Sequence, residues 1–178
     1  AMGNPDLALP LLAQVRTGTQ DDGTRHEALL LTADVLAQKK DFVRAIRMLL
    51  ESMQGAVEDE TADTREQIRG MIAEKLDRKG LIRVRDTFPR VYPGDLASIG
   101  LIDYYIAHGD DHLAEQEARR FLAAFPTHPQ SQRINESLEL LSTKLKANQF
   151  FIAAVLPLSG RLAPFANDVL EGIQIALE

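Results

Sequence analysis

The chain has 178 residues, 45% of them apolar and 26% charged, with a net charge of −6 and no cysteine. Disulfides and thiolate sites are therefore excluded, and an acidic balance argues against general nucleic-acid binding, which wants a basic face. No apolar run approaches the roughly 20 residues that a membrane-spanning helix needs.

Ala1-Met2-Gly3 reads as a remnant of cloning, so the natural start is expected to be lost. Leu7, Leu9, Leu11, Leu12 and Val15 predict a short helix that is interrupted or started near Pro10. Thr17 to Thr24 is polar, carries two glycines and predicts a loop. Its paired aspartates lack the alternating acidic spacing and distal Glu of a calcium loop.

From Arg25 to Ala147 almost everything has a helical period. Glu27–Gln38 carries Leu29, Ala33 and Leu36 on one face, and beyond Lys39-Lys40-Asp41 a second face carries Phe42, Ala45, Ile46 and Leu49. Asp95–Ala107 and the helix after His108-Gly109-Asp110 form a second such pair, with Leu101, Ile102, Tyr105, Ala114, Ala118, Phe121 and Leu122. The pairs superimpose with one shift: Asp41 to Asp110, Ala45 to Ala114 and Leu36 to Tyr105 are each 69 apart. That is close to twice the roughly 34-residue tetratricopeptide period, so a repeat is expected between them. Thr64–Lys79, with Ile68, Ile72 and Leu76, supplies its first helix. Gly80 is expected to break it, and a shorter helix with Leu81, Val84 and Phe88 follows, curtailed by Pro89 and Pro93. Residues 55–63 are acidic and read as an exposed connection. Ser131–Ala147 places Ile134, Leu138, Leu141 and Leu145 on a narrow stripe, as suits the cap of a helical stack, and Asn148-Gln149 reads as a hinge.

After the hinge, Phe150 to Leu156 is an unbroken apolar run of strand length that Pro157 ends. Beyond the turn at Leu158-Ser159-Gly160, Phe165, Val169, Ile173 and Leu177 recur every four positions, as on one helix face. The strand Ile152–Leu156, the turn Pro157-Leu158-Ser159-Gly160, Ala163, Phe165 and Glu171-Gly172 resemble the opening of the type I periplasmic-binding-protein fold. The resemblance covers about a sixth of the chain. That fold serves ABC-transporter receptors for amino acids and the penicillin-binding-protein activator lipoproteins of the bacterial outer membrane.

Candidate chemistry is sparse. His108 and His112 bracket two aspartates, but Gly109-Asp110 marks a turn, so they do not share the helical face a metal pair needs. Asp110 or Asp111 is better read as a helix N-cap. His26 and His128 have no evident partners. Arg78, Lys79, Arg83, Arg85 and Arg90 form a basic cluster, read either as a face for an anionic partner or as a solvated face balanced by Asp77 and Asp86. Ser159 lacks the surrounding glycines of a nucleophile elbow. No catalytic constellation and no cofactor motif emerges.

The expected fold is all-α: a tetratricopeptide-like helical solenoid over 25–148 after an N-terminal helix and loop over 1–24. The first strand–helix unit of an α/β periplasmic-binding-protein (type I) domain follows over 149–178. The domain order resembles that of the penicillin-binding-protein activators, which implies a non-catalytic scaffold in the periplasm, lipid-anchored at the outer membrane, that contacts a peptidoglycan synthase. The alternative is a small-molecule ABC-type receptor with a helical extension, for which the resemblance places Ser159 and Phe165 near the ligand cleft. In a solenoid the first helix of each pair lines the groove, which makes Asp34, Asp103 and Tyr104 the expected contacts for a protein partner. The apolar strand and helix of the tail are also expected to seek cover, by pairing with a second molecule.

Overall fold

The computed structural model describes residues 5–55, 61–149, 154, 156–157 and 159–176. Among these it is helical, with nine α-helices and no strand. They are α1 (Pro5–Gly18), α2 (Asp22–Gln38), α3 (Phe42–Ser52), α4 (Ala62–Gly70), α5 (Arg78–Thr87), α6 (Gly94–His108), α7 (Asp111–Ala124), α8 (Ser131–Gln149) and α9 (Ala163–Ala176). A single π turn, Met71–Lys75, continues α4. The chain divides into two compact units, Ala1–Thr143 and Lys144–Glu178. No described helix is long and apolar enough to cross a membrane.

In the first unit α2 packs on α1 and α3, and α6 packs on α5 and α7. The first pair closes where α2 ends in a left-handed residue, Lys40, at φ 59°. Its N–H donates to the Ala37 carbonyl at 2.9 Å, and the Asp41 N–H donates to the Leu36 carbonyl at 2.9 Å. Gly109 takes the same conformation at φ 73°, its N–H donating to Ile106 at 3.2 Å and that of Asp110 to Tyr105 at 3.0 Å. Ala45 N–H to the Asp41 carbonyl and Ala114 N–H to the Asp110 carbonyl, both 3.0 Å, complete the match. The 69-residue shift thus reproduces the backbone bonds as well as the sequence. These bonds satisfy the orphan carbonyls that every helix end leaves. Packing repeats with them: Ala45 and Ala114 are fully buried, as are Ala33 and Ile102. The absence of a long side chain at 45 and 114 lets the second helix of each pair approach the first.

Between these pairs the chain is less regular. The break falls at Leu76-Asp77, not at Gly80. Leu76 is extended (φ −89°, ψ 130°), and the Asp77 side chain accepts from the Gly80 N–H at 2.8 Å, so Asp77 caps α5 and Gly80 lies in its first turn. A Cβ at Gly80 would stand 2.8 Å from Leu76 Cδ2, the movable end of that side chain, so Leu76 would have to shift to admit one. Asp77 follows Asp41 by 36 residues and precedes Asp110 by 33. The π turn just before it absorbs the excess, since such a turn accommodates an extra residue within a helix. The approach to α6 is tight as well: a Cβ on Gly94 would lie 1.8 Å from the Phe88 carbonyl oxygen.

Other expectations need correction. Pro10 lies inside α1, where the helix passes through it. The loop of 17–24 shrinks to three residues, because Asp21 accepts from the Thr24 N–H at 2.7 Å and starts α2 early. Asp110 occupies the N-cap position of α7, but its side chain makes no capping bond. Asn148-Gln149 is no hinge, being the helical end of α8. Thr61, at the end of the acidic connection, is buried. The core stripes stand where the periodicity puts them, with Phe42 and Phe88 only half-buried at its edge. One cluster runs from Ala33 and Ile46 through Ile68 and Val84 to Leu101 and Leu141, and a second joins Ile102, Ala118, Phe121, Ile134 and Leu138.

In the second unit, the predicted strand falls largely outside the described residues; Ala154, Leu156 and Pro157 have no regular structure. Of the α9 stripe, Phe165 is 69% and Val169 50% exposed and Ile173 is half-buried, while Leu177 lies outside the described residues; beside the stripe, Ala166 is buried.

Two outcomes follow for stability. Lysine at a left-handed position is strained where glycine is not, so Lys40→Gly is expected to stabilise by about 0.5–1 kcal/mol and Gly109→Ala to destabilise by about 1 kcal/mol, read as opposite shifts in thermal midpoint. Asp41 is the second test. Burial would push its carboxyl up, but bonds from the Arg44 side chain and backbone N–H, with the charges of Arg44 and Arg83, hold it below its usual 3.8. Its contribution is therefore complete above that value and fades as pH falls through the lowered one. Thermal melts from pH 6 downwards should show Asp41→Asn losing less stability on acidification than the parent chain.

Candidate functional site

The residues expected to meet a partner are only partly free. Asp34 is exposed on α2, and Asp103 holds the equivalent position, 69 residues on, in α6. Asp103, however, is engaged by Arg133 of α8, whose guanidinium donates to both carboxylate oxygens at 3.0 and 3.4 Å. Tyr104 is half-buried, stacked on His108 with ring centroids 3.9 Å apart and edge-on to Tyr105 at 5.9 Å. The structure therefore leaves Asp34 as the open carboxylate and turns Asp103 and Tyr104 partly to internal packing. Ser159 lies in an exposed bend and Phe165 on exposed α9, and no described contact joins them.

Both solitary histidines have partners. His26 Nδ1 stands 3.0 Å from the Ser52 carbonyl, tying α2 to the end of α3. His128 Nδ1 accepts from the Gln130 N–H at 3.1 Å, which leaves the proton on Nε2 facing Asp95 Oδ2 at 3.3 Å. The ring also packs edge-on against Phe121 at 5.3 Å. With both ring nitrogens occupied, His128 is a brace between the α7–α8 turn and the start of α6. Among the described residues no group of three or more His, Asp or Glu stands where it could hold a metal ion.

The basic cluster divides in two. Arg85 turns inward: its Nη1 donates to Glu117 Oε2 at 2.6 Å and its Nε to Asp86 at 2.9 Å. Glu117 is only 5% exposed and its Oε1 has no partner. Burial opposes the Arg85 charge, yet the bonds to Asp86 and Glu117 more than offset that and raise its pKa. Nothing local in sequence announced this bridge, because its two ends are 32 residues apart. Lys79 and Arg83 turn the other way, into a groove of about 560 Å³ between the α2–α3 turn and the start of α5. Lys39, Lys40 and Lys75 join them there, above Phe42 and Leu76. The two carboxylates of the groove, Asp41 and Asp77, each accept a first-turn backbone N–H, from Arg44 of α3 and Gly80 of α5. This is the most concentrated positive lining among the described cavities of an acidic chain.

The buried bridge gives a sharp test. Arg85→Met strands Glu117 in the interior and is expected to cost about 3 kcal/mol, whereas Arg85→Met with Glu117→Met should recover most of the loss, as urea melts of the two variants would show. No family model matches this chain, and comparison with curated proteins and with solved structures finds no match.

Proposed function

We infer that this chain is a non-catalytic protein-interaction scaffold, a tetratricopeptide-like solenoid followed by the opening strand–helix unit of a type I periplasmic-binding-protein domain. The observation that carries the scaffold reading is the 69-residue correspondence of the α2–α3 and α6–α7 pairs, bond for bond at their turns. Units that repeat in this way present the same surface at regular intervals, and such surfaces serve extended contacts with other proteins. Asp34 and Asp103 recur on that surface at equal positions. A carboxylate at a contact rim chiefly guides association and sets its salt dependence.

The setting comes from the resemblance of residues 152–172 to the penicillin-binding-protein activators. On that basis the scaffold works in the periplasm at the outer membrane, held by a lipid anchor outside this stretch, and its partner is a peptidoglycan synthase.

The test is binding of a purified peptidoglycan synthase to the chain and to Asp34→Lys, alone and with Asp103→Asn. The asparagine keeps a hydrogen-bond acceptor for Arg133 while removing the charge. The expected result is about tenfold weaker binding for the double variant, with a shallower dependence on salt. Unchanged affinity in both variants would remove these carboxylates from the interface, and no binding by the parent chain would overturn the partner.

A further inference from the structure

A cavity of about 340 Å³ opens where the end of α5 and the segment after it meet α6 and the end of α7. Three arginines line it, Arg85, Arg90 and Arg120. Arg85 is the fixed one. Its Nε and Nη1 donate to Asp86 and to the buried Glu117, and these bonds leave its Nη2 unspent. Arg120 reaches both carboxylates only at 3.9 Å, an ion-pair distance too long for a hydrogen bond. Among the described residues no carboxylate stands within ion-pair distance of Arg90. Three guanidinium groups against Asp86 and Glu117 leave the site a formal +1, with the donors of Arg90 and Arg120 open to a ligand.

We propose that this cavity binds a small carboxylate-bearing ligand with a short apolar body. A guanidinium presents its N–H groups as a planar fork that matches the two oxygens of a carboxylate. The same fork accepts phosphate, and charge decides between them. One negative charge balances the site, whereas a doubly charged phosphate overshoots it. Pro89, Ala123 and Ala124 complete the walls with short apolar side chains that suit methyl and methylene groups. Buried Ser98 adds a hydroxyl able to donate or accept. The volume stands near the lower end of the about 300–1,000 Å³ of small-molecule sites, which is room for a ligand of amino-acid size. The Arg85–Glu117 bridge alone would need neither Arg90 nor Arg120 beside it, so its structural role does not explain the cluster. Neither Asp34 nor Asp103 lines the cavity, and the proposal does not rest on the scaffold reading.

Amide chemical-shift titration of the whole chain with butyrate, with N-acetyl-alanylalanine and with the C-terminal amide of that dipeptide tests the proposal. Saturable shifts at Ser98, Ala123 and Ala124 are expected with at least one of the two acids and none with the amide. Butyrate binding as tightly as the dipeptide identifies a free acid as the ligand, and tighter binding of the dipeptide identifies a peptide terminus. Arg90→Gln with Arg120→Gln should weaken the acid by about tenfold or more, and each single variant by about threefold. Arg47→Gln, exposed on α3 outside the cavity, should change it by less than about twofold. Thermal melts check folding, and the single variants, each altering one exposed side chain, decide the matter if the double variant does not fold. The proposal is overturned by no saturable shift with either acid, by equal binding of the amide, by inorganic phosphate binding more tightly than both acids, or by unchanged affinity in the arginine variants.

Discussion

The structure of the first unit depends on how two helices can reverse direction without leaving backbone groups unpaired. At Lys40-Asp41 and at Gly109-Asp110 one left-handed residue redirects the chain, and two N–H groups return to carbonyls of the helix just ended. The following aspartate then begins the next helix through its own carbonyl. Because the turn is this short, α2 and α3, like α6 and α7, have to lie side by side. Their contact line needs small residues, which Ala33, Ala45, Ala114 and Ala118 supply with no exposure at all. Burying these stripes is the main driving force, and the turn bonds decide which stripes meet.

The middle of the chain obeys the same constraint with a different solution. A π turn and an extended Leu76 replace the left-handed residue, and Asp77 caps α5 with its side chain. Ile68, Met71, Ile72, Leu81 and Val84 still join the cluster formed by the flanking pairs. An irregular backbone is tolerated because the apolar faces on either side keep their register.

Charge is distributed by function in the helices as much as by composition. Aspartates 21, 41 and 77 serve as caps, each accepting a backbone N–H from the first turn of the helix it starts. Glu117 is buried against Arg85, and Asp103 is held by Arg133. An acidic chain can still gather Lys39, Lys40, Lys75, Lys79 and Arg83 around one groove, whose two carboxylates, Asp41 and Asp77, start α3 and α5.

The sequence by itself determined the helices, their pairing and the apolar stripes, from Leu29 and Ala33 to Ile134 and Leu138. Helical periodicity and glycine or aspartate punctuation are local signals, written within a few turns of the residues they govern. It also determined the 69-residue repeat, because equivalent turns need equivalent residues. Tertiary structure alone decided which charges meet. Arg85 finds Glu117, His128 finds Asp95, and the α2–α3 turn comes to lie beside the start of α5, all across 32 or more residues of chain. Side chains so far apart in the chain have no fixed spacing, and only the packed helices bring them within bonding distance. The break before α5 at Leu76-Asp77 follows a local rule instead, an aspartate able to cap a helix prevailing over a glycine that merely permits a turn.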